Sequence, residues 1–217
     1  MMEPDKYFKI MRARFDCEKL TELYHTNEFT LAVAVVLSAQ TTDKRVNIVA
    51  PGLFKAADTP EKMLALGLDG LKEHVKSLSF FNNKAANIIK MSEQLSGVVR
   101  GAPWKFPEAF HNRDTLMALG GIGRKTANVV SNVLWGAPNI GVDTHVFRLA
   151  HRFGWAGPAE NAPEKVERKL TKLIPKKHHR VANHIMVMHG RYICKARRPD
   201  CGNCPVAELC GHKKLEA

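Results

Sequence analysis

A lysine beside a glycine-framed turn is the first residue whose position suggests chemistry. In the stretch LGGIGRKTANVV, Gly121 and Gly123 frame one aliphatic residue, and Lys125 follows where an apolar helical pattern begins. The positive end of a helix and the like charge of Arg124 both favour the neutral amine, which is the nucleophilic form of lysine. The local pattern leaves two interpretations open, a nucleophilic lysine and a surface lysine that touches phosphate.

The turn before this lysine is suited to an anion. Glycine amides can approach an anion closely, and the amides that open a helix add positive partial charge. The pattern predicts a short helix from Asp114 to Leu119, capped by Asp114, and a second helix from Arg124 to Trp135. Such a helix–turn–helix unit suits a DNA phosphate. A nucleotide-binding P-loop is excluded, because Arg124 and Leu119 occupy the two positions where that motif requires glycine.

A carboxylate downstream is the second candidate for chemistry. Asp143, in the stretch GVDTH, precedes an apolar segment that runs from Val146 to Phe153. A plain helix N-cap is one interpretation, and it is compatible with a catalytic role, because a capping carboxylate stays ionised. An ionised carboxylate near a neutral amine suits chemistry that builds positive charge on a sugar. His145 is predicted to support this site or contact phosphate.

Four of the five cysteines lie together near the end of the sequence. Their spacing is Cys-x6-Cys-x2-Cys-x5-Cys, formed by Cys194, Cys201, Cys204 and Cys210. In a reducing cytosol such a group indicates a metal site rather than disulfides. A zinc ribbon would show two close pairs, whereas the single close pair here suits a four-thiolate iron–sulfur cluster with a structural role. Cys17 stands alone and is predicted to be a small buried hydrophobic residue.

The charge of the chain indicates a polyanionic partner. The formal net charge is +12 and the isoelectric point is near 9.6, and nucleic acid is the commonest partner of such proteins. A basic solubilising surface is the alternative. Residues 176–198 contain seven Lys or Arg and no Asp or Glu. Because Lys195, Arg197 and Arg198 lie between the first two clustered cysteines, a loop fixed by metal would present them to a DNA backbone.

Helical patterns dominate the remaining sequence. Thr59 and Pro60 are typical of a helix start, and Asp69 is predicted to open a further segment. The run from Phe29 to Leu37 could form a buried strand, but no hairpin signal flanks it, so a buried helix is predicted. Glycine and proline between Gly136 and Gly141 predict a crossing between two helical subdomains.

Two more helices are predicted, and no membrane segment is. One helix follows Asn161 and ends at Pro175, and the next runs from His179 to Ile193. No apolar run approaches the ~20 residues that a bilayer requires. The N-terminal stretch MMEPDKYFKI contains acids and lacks the apolar segment of a secretory signal. These features predict a cytoplasmic protein.

Several segments, in order along the chain, resemble the endonuclease III family of bifunctional DNA glycosylases and abasic-site lyases of base-excision repair. The segments are LSAQTTD, FNNKAANI, LGGIGRKTANVV, GVDTHVFRLAHRFG and HGRYIC with the cysteine spacing. The resemblance implies an all-α fold of two lobes. A six-helix lobe with a helix–hairpin–helix would span residues 22–136. A second lobe, holding a [4Fe-4S] cluster, would combine residues 1–21 with residues 137–217.

The resemblance also implies roles for single residues. Lys125 corresponds to the family's Schiff-base lysine, and Asp143 corresponds to its catalytic aspartate. Gln40 corresponds to a residue that fills the gap left by the extruded base, and Phe80 falls at the position of a wedge. The implied cluster ligands are Cys194, Cys201, Cys204 and Cys210. The expected DNA contacts are Gln40, Phe80, Gly121, Gly123, Arg124, His145, Lys195, Arg197 and Arg198.

The implied substrate is double-stranded DNA that contains damaged bases, namely oxidised or ring-saturated pyrimidines, or abasic sites. The damaged nucleotide would leave the stack, the lysine would displace its base, and β-elimination would nick the strand. A monomer associated with the nucleoid is expected. Two alternatives are a monofunctional adenine-DNA glycosylase, which lacks the lysine nucleophile, and a non-catalytic DNA-binding module that uses only the hairpin and the basic loop.

Two positions depart from the family pattern. Gly120 stands where a proline is common, which predicts a looser turn. Ser79, Phe80 and Phe81 stand where the family often has Gly-Leu-Tyr, and a bulkier wedge would change lesion preference. Neither departure touches the groups that carry the chemistry, so both bear on lesion range and not on reaction type.

Overall fold

The computed structural model describes residues 1–98 and 103–212, and within these ranges it contains helices and turns but no strands, which confirms the predicted all-α class. The helices are α1 (Pro4–Arg12), α2 (Glu28–Leu37), α3 (Asp43–Ala56), α4 (Pro60–Val75), α5 (Phe81–Leu95), α6 (Arg113–Met117), α7 (Arg124–Trp135), α8 (Thr144–Arg152), α9 (Pro163–Leu173) and α10 (His179–Tyr192). Short 3-10 turns lie at Glu108–Phe110, Lys176–His178 and Ala207–Leu209. No helix in the described ranges is long and apolar enough to cross a membrane.

Helix α2 settles the ambiguous apolar run in favour of the predicted buried helix. Asn27 and Thr30 cap it reciprocally: the Asn27 side chain accepts from the Thr30 amide (2.8 Å), and the Thr30 hydroxyl accepts from the Asn27 amide (2.9 Å). Every residue from Phe29 to Leu37 is buried. A β-branched run is helical here because neighbouring helices cover the element on all sides, which outweighs its modest helix propensity.

Local capping decides where two other helices begin. Thr59 caps α4 as predicted, and Pro60 is its first residue. The segment predicted to open at Asp69 is the second half of α4, which continues past a kink at Gly67, where φ is +71°. The predicted cap of α6 at Asp114 is wrong. Asn112 has the extended backbone of an N-cap and accepts from the Thr115 amide (3.0 Å), and this places Asp114 inside the first turn.

The other predicted helices agree closely with the structure. The helix after the glycine turn spans Arg124–Trp135 as predicted, and α9 and α10 fall within the ranges expected for them. Cys17 is half-buried rather than fully buried. Its thiol donates to the Phe15 carbonyl (3.3 Å), and burial raises its pKa, so the protonated thiol is favoured.

The chain divides into two compact units. The hairpin unit, Glu22–Trp135, contains α2 to α7 among its described residues. Its core is a cluster of buried hydrophobic side chains that begins at Leu23 and ends at Val130. This cluster encloses α2 and the apolar faces of the surrounding helices, and it fixes the turn between α6 and α7.

The cysteine unit joins Met1–Thr21 to the chain from Gly136 onward. Its interior is aromatic. The ring of Tyr7 lies 4.9 Å from that of Phe8, 5.3 Å from that of Trp155 and 5.7 Å from that of His189, measured between centroids. These rings attach α1 to α10. Whether these units are the two functional lobes predicted from the sequence, residues 22–136 and residues 1–21 with 137–217, stays a prediction.

Candidate functional site

The turn between α6 and α7 is shaped by one glycine with a left-handed backbone. Gly121 has a φ of +74°, and a Cβ there would lie 3.0 Å from the Cβ of Asn87. The side chain of Ile122 is buried and anchors the turn in the core. The amide of Ala127 bonds to the Gly123 carbonyl (2.9 Å) and opens α7. The fold therefore requires glycine at position 121.

Gly123 is different, because none of the residues that the structure describes requires a glycine there. Its φ is not positive, and a Cβ at this position would meet no atom of those residues within 4 Å. The residue is exposed at the start of α7. The missing side chain leaves the first amides of the helix open to a close approach from outside, as an anion would need.

Gly120 is held tightly, in contrast to the looser turn that the sequence predicts. Its amide donates to Gln94 Oε1 (2.8 Å), and Gln94 Nε2 donates to the Ala118 carbonyl (2.9 Å). A proline could not make the first of these bonds, because it has no amide hydrogen. A Cβ at position 120 would also lie 2.4 Å from the Asn87 carbonyl oxygen. The glycine thus allows the turn to pack directly on the backbone of α5.

Lys125 lies in the first turn of α7 with its side chain exposed. Among the described residues, its ammonium makes no hydrogen bond and no ion pair. Arg124, which precedes it, is half-buried. The structure therefore presents Lys125 as an unpartnered amine beside the open amides of the hairpin, where a ligand that binds the turn would meet it.

Asp143 caps α8, as predicted. Its Oδ1 accepts from the amides of His145 and Val146, both at 2.9 Å. Within the described ranges, Oδ2 accepts no hydrogen bond. One oxygen thus fixes the orientation of the carboxylate, and the other remains available to a ligand. The capping and the catalytic interpretations are geometrically compatible.

The residues around Asp143 include an arginine that sequence reasoning missed. Arg148 donates through Nη2 to the carbonyls of Gly190 (2.7 Å) and Cys194 (3.0 Å), and the same nitrogen lies 3.3 Å from His145 Nδ1. His145 is half-buried, and a Cβ on Gly190 would lie 2.7 Å from the His145 Cβ. The helix that Asp143 caps is therefore tied to the segment that leads into the cysteines.

The four clustered cysteines line one hollow. Its empty space is about 350 Å³, counting the part that opens to solvent, and Phe153, His189 and Ile193 also line it. None of the thiols is in a disulfide. In the part of the chain that the structure describes, no three His, Cys, Asp or Glu side chains are spaced to hold a single metal ion. A hollow of this kind suits a polynuclear cluster better than one zinc ion.

Hydrogen-bond donors lie beside two of the four thiols, as suits thiolate ligands. Burial raises the pKa of both Cys194 and Cys204, so bare thiolates would be unfavourable without a cation. Arg152 Nη1 donates to Cys194 Sγ (3.1 Å), and His189 Nε2 lies 3.4 Å from Cys204 Sγ. The residues present therefore fit an iron–sulfur cluster, whose sulfur ligands accept such bonds.

A buried pair of rings orients His189. The Tyr7 hydroxyl lies 3.0 Å from His189 Nδ1, and both side chains are fully buried. Burial raises the pKa of Tyr7 and lowers the pKa of His189 to about 4, so the phenol stays protonated and the imidazole stays neutral. With the phenol as donor to Nδ1, the ring hydrogen is on Nε2 and points to Cys204. Sequence reasoning missed His189. The signal that could have found it is the histidine at the start of HGRYIC, five residues before Cys194.

Three exposed residues that were predicted to contact DNA share an unusual backbone. Gln40, Phe80 and Arg198 have φ values of +53°, +56° and +51°, and they are the non-glycine residues with positive φ in the described ranges. Such conformations are costly and concentrate at functional sites. Phe80 is 62% exposed, although it is aromatic. Lys195 and Arg197, beside Arg198, are also exposed.

Comparisons with known families match two parts of the chain. Residues 33–176 match the model of the HhH-GPD superfamily base excision DNA repair proteins. Residues 194–210 match the model described as the iron-sulfur binding domain of endonuclease III. The second match begins at Cys194 and ends at Cys210, so it covers the four cysteines that line the hollow.

Individual relatives match nearly the whole length. Endonuclease III of Rickettsia felis is 49% identical over 207 residues, which cover 95% of this chain and 92% of the relative. Endonuclease III of Escherichia coli strain K12 is 44% identical, with 89% of this chain and 88% of the relative covered. A solved structure, described as a trapped endonuclease III–DNA covalent intermediate in an estranged-adenine complex, is similar with a TM-score of 0.84 and 38% identity, covering 100% of this chain and 99% of that chain.

Proposed function

The chain belongs to the HhH-GPD superfamily of base excision DNA repair proteins, and from this premise we propose that it removes oxidised pyrimidines from DNA through a Schiff base on Lys125. It is a DNA glycosylase and abasic-site lyase. Its substrate is DNA, and it carries a [4Fe-4S] cluster. The observation that carries the proposal is the exposed amine of Lys125, which lies beside the open turn and has no partner among the described residues.

Lys125 is the nucleophile of the proposed reaction. Its neutral amine forms a bond to C1′ of the damaged nucleotide while the bond from C1′ to the base breaks and the base leaves with the electron pair. Opening of the sugar ring gives an imine, loss of a proton from C2′ breaks the C3′–O bond, and the strand is nicked 3′ to the lesion. The covalent DNA intermediate captured for the 38% identical relative supports a nucleophile in this mechanism.

Asp143 is proposed to support the positive charge that develops on the sugar and to assist deprotonation. Its Oδ1 accepts the amides of His145 and Val146 and so orients the carboxylate, and its Oδ2 has no partner in the described ranges. His145, which is half-buried beside Arg148, is proposed to contact a DNA phosphate. These two assignments rest on the geometry of α8 together with the family pattern.

The two compact units are proposed to be the two functional lobes, residues 22–136 with the hairpin, and residues 1–21 with 137–217. The proposed cluster ligands are Cys194, Cys201, Cys204 and Cys210. The cluster, when bound, supplies a structural cross-link that fixes the cationic loop of Lys195, Arg197 and Arg198. The hollow and its donors from Arg152 and His189 support this assignment.

DNA is proposed to bind through its phosphates at the hairpin and at the cationic loop. The amides at Gly121 and Gly123 and the side chain of Arg124 hold one phosphate, while Gln40 and Phe80 enter the helix at the lesion. Binding is then expected to weaken steeply as salt rises. An affinity that does not respond to salt would contradict phosphate binding by the cationic residues.

We also propose that the protein is a monomer, located in the cytoplasm and associated with the nucleoid.

Borohydride trapping on duplex DNA with one abasic site tests the central assignment. The wild-type protein and the exposed control Lys62→Gln should give a covalent adduct, and Lys125→Gln should give none. Base release by wild-type protein without an adduct would indicate a monofunctional enzyme, and binding without either reaction would indicate a binding module. The purified protein should also be yellow-brown, because iron–sulfur thiolates absorb visible light. Stoichiometric zinc in a colourless protein would refute the cluster.

A further inference from the structure

Lys84 is a buried lysine that the packing of the core does not explain. Its residue exposure is 5%, and its Nζ donates to Thr41 Oγ1 at 2.7 Å. Within the described residues this is the only hydrogen bond of the ammonium, and no carboxylate pairs with it. Burial lowers the pKa of Lys84. Because burying a charge is costly, methionine would fill the same space more cheaply.

The single bond of this ammonium joins the two segments that carry left-handed residues. Thr41 directly follows Gln40, whose φ is +53°. Lys84 lies one turn into α5, and its amide bonds to the carbonyl of Phe80, whose φ is +56°. The side chain therefore connects the segment after α2 to the N-terminal turn of α5.

A second hydrogen bond joins the same two regions. Arg45, in the first turn of α3, donates through Nη2 to the Ser77 carbonyl at 2.7 Å. Ser77 lies just before Phe80, and α3 begins just after Gln40. Two side chains thus cross between the segment around Gln40 and the segment around Phe80. The Arg45 bond is exposed and the Lys84 bond is partly buried, so the Lys84 bond holds the geometry more firmly.

We infer that Lys84 is a positioning residue, which fastens the Gln40 segment to the start of α5 so that Gln40 and Phe80 enter DNA as one preformed unit. The inference rests on the proposed function, in which these two residues open the helix at the lesion. Positive φ values are costly for both residues and persist only where the surroundings hold them. If the Lys84 hydrogen bond orders both segments before DNA binds, the entropic cost of ordering them is not added to the cost of flipping the base out of the stack.

Stopped-flow fluorescence of 2-aminopurine tests this inference. The base is placed beside a tetrahydrofuran abasic-site analogue in a duplex, and its fluorescence rises as it loses stacking when the protein opens the helix. Lys84→Met should slow this opening by about 10-fold, the effect of losing one charge-assisted hydrogen bond. Thr41→Val should slow the opening equally. Thr41→Ser, which keeps the hydroxyl, should open DNA at the wild-type rate, and so should the exposed control Lys62→Met.

The double variant separates positioning from general destabilisation. If Lys84 acts through Thr41, the variant with both Lys84→Met and Thr41→Val opens DNA no more slowly than either single variant. Additive slowing, or normal opening by Lys84→Met, would overturn the inference. If the Lys84→Met chain does not fold, the contrast between Thr41→Val and Thr41→Ser decides.

Two further variants distinguish the positioning role of Lys84 from the proposed role of Gln40 and Phe80 in opening DNA. Gln40→Ala and Phe80→Ala should each slow the opening of DNA. If neither does, the proposed role of these residues is wrong and the inference falls with it. If both slow the opening while Lys84→Met and Thr41→Val do not, only the positioning role fails.

Discussion

Both units of the molecule bury hydrophobic side chains, but they differ in the polar groups that are buried with them. The hairpin unit has a close-packed hydrophobic core from Leu23 to Val130. The cysteine unit buries four histidines, His178, His179, His184 and His189. Among them, His178 stacks on Phe8, and His189 stacks on Tyr7 and Phe153. Hydrophobic burial is non-directional, whereas a buried polar group becomes costly when its single partner is lost. Changes confined to the hairpin unit should thus leave the cluster in place, and the cysteine unit should depend on individual bonds and on its cluster.

Removal of one proposed cluster ligand should produce the largest difference in stability between the two units. Cys204→Ala is expected to abolish the visible absorption and to raise hydrogen exchange in α8 and α10 by about 100-fold or more, because a metal site that forms on folding contributes its binding energy to stability. Exchange in α2 and α7 should not change. Hydrogen-exchange mass spectrometry of the full chain measures both effects.

The matched control is Cys17→Ala, which removes a thiol that does not line the hollow. It should leave the absorption and the exchange rates at wild-type values. Equal acceleration of exchange in α2 and α10 after loss of the cluster would show that the units unfold together, and the comparison would fail.

A cavity in the hairpin unit should have the next largest effect. Leu53 is fully buried in α3, and Leu53→Ala is expected to lower the free energy of unfolding by about 3 kcal/mol, through lost burial and an unfilled cavity. The visible absorption of the folded protein should stay unchanged. Chemical denaturation followed by circular dichroism and by absorption checks this. Loss of the cluster in this variant under native conditions would contradict the separation.

Loss of the buried phenol hydroxyl should have a smaller but selective effect. Tyr7→Phe leaves His189 Nδ1 without its partner at 3.0 Å, at an expected cost of about 1–2 kcal/mol. Release of iron to a chelator should be faster, because His189 is then less well oriented toward Cys204. Tyr24→Phe is the control, since Tyr24 is 43% exposed in the hairpin unit. Equal iron release by the two variants would refute the role of the ring pair.

The smallest effect is expected at the hairpin turn. Gln94→Ala removes the bonds to Gly120 and Ala118, and because the side chain is exposed, the expected loss is about 0.5–1 kcal/mol. Local exchange at the turn should rise, and the rate of borohydride trapping should fall by about threefold as the lysine is held less firmly. Glu93→Ala is the neighbouring control. A stability loss as large as that of Leu53→Ala would show that the turn belongs to the core.

The sequence was most informative where local patterns decide the outcome. The bounds of α7, the capping by Asp143 and the burial of α2 follow from periodicity and N-cap chemistry within a few residues. The error at Asp114 arose because Asn112, two residues earlier, can cap the same turn, and residue type alone does not choose between them. The iron–sulfur prediction depended on spacing, which is also local.

Contacts between distant segments were beyond such reasoning. Arg148, Gln94 and Lys84 donate to carbonyls or hydroxyls far away in the sequence, and a pattern of charges along a helix does not reveal which group lies opposite. The positive φ of Gln40 and Phe80 was equally hidden, because neither residue type favours it. These features arise from tertiary packing, which overrides local preference.

The close crossing at Gly190 gives one helix control over a group on another. A methyl group at position 190 would lie 2.7 Å from the Cβ of His145, two residues after Asp143, so α8 or α10 would have to shift. The position of the Asp143 carboxylate thus depends on the absence of a side chain at Gly190 in α10. We expect Gly190→Ala to displace this carboxylate, although residue 190 is not Asp143 itself and carries no charge.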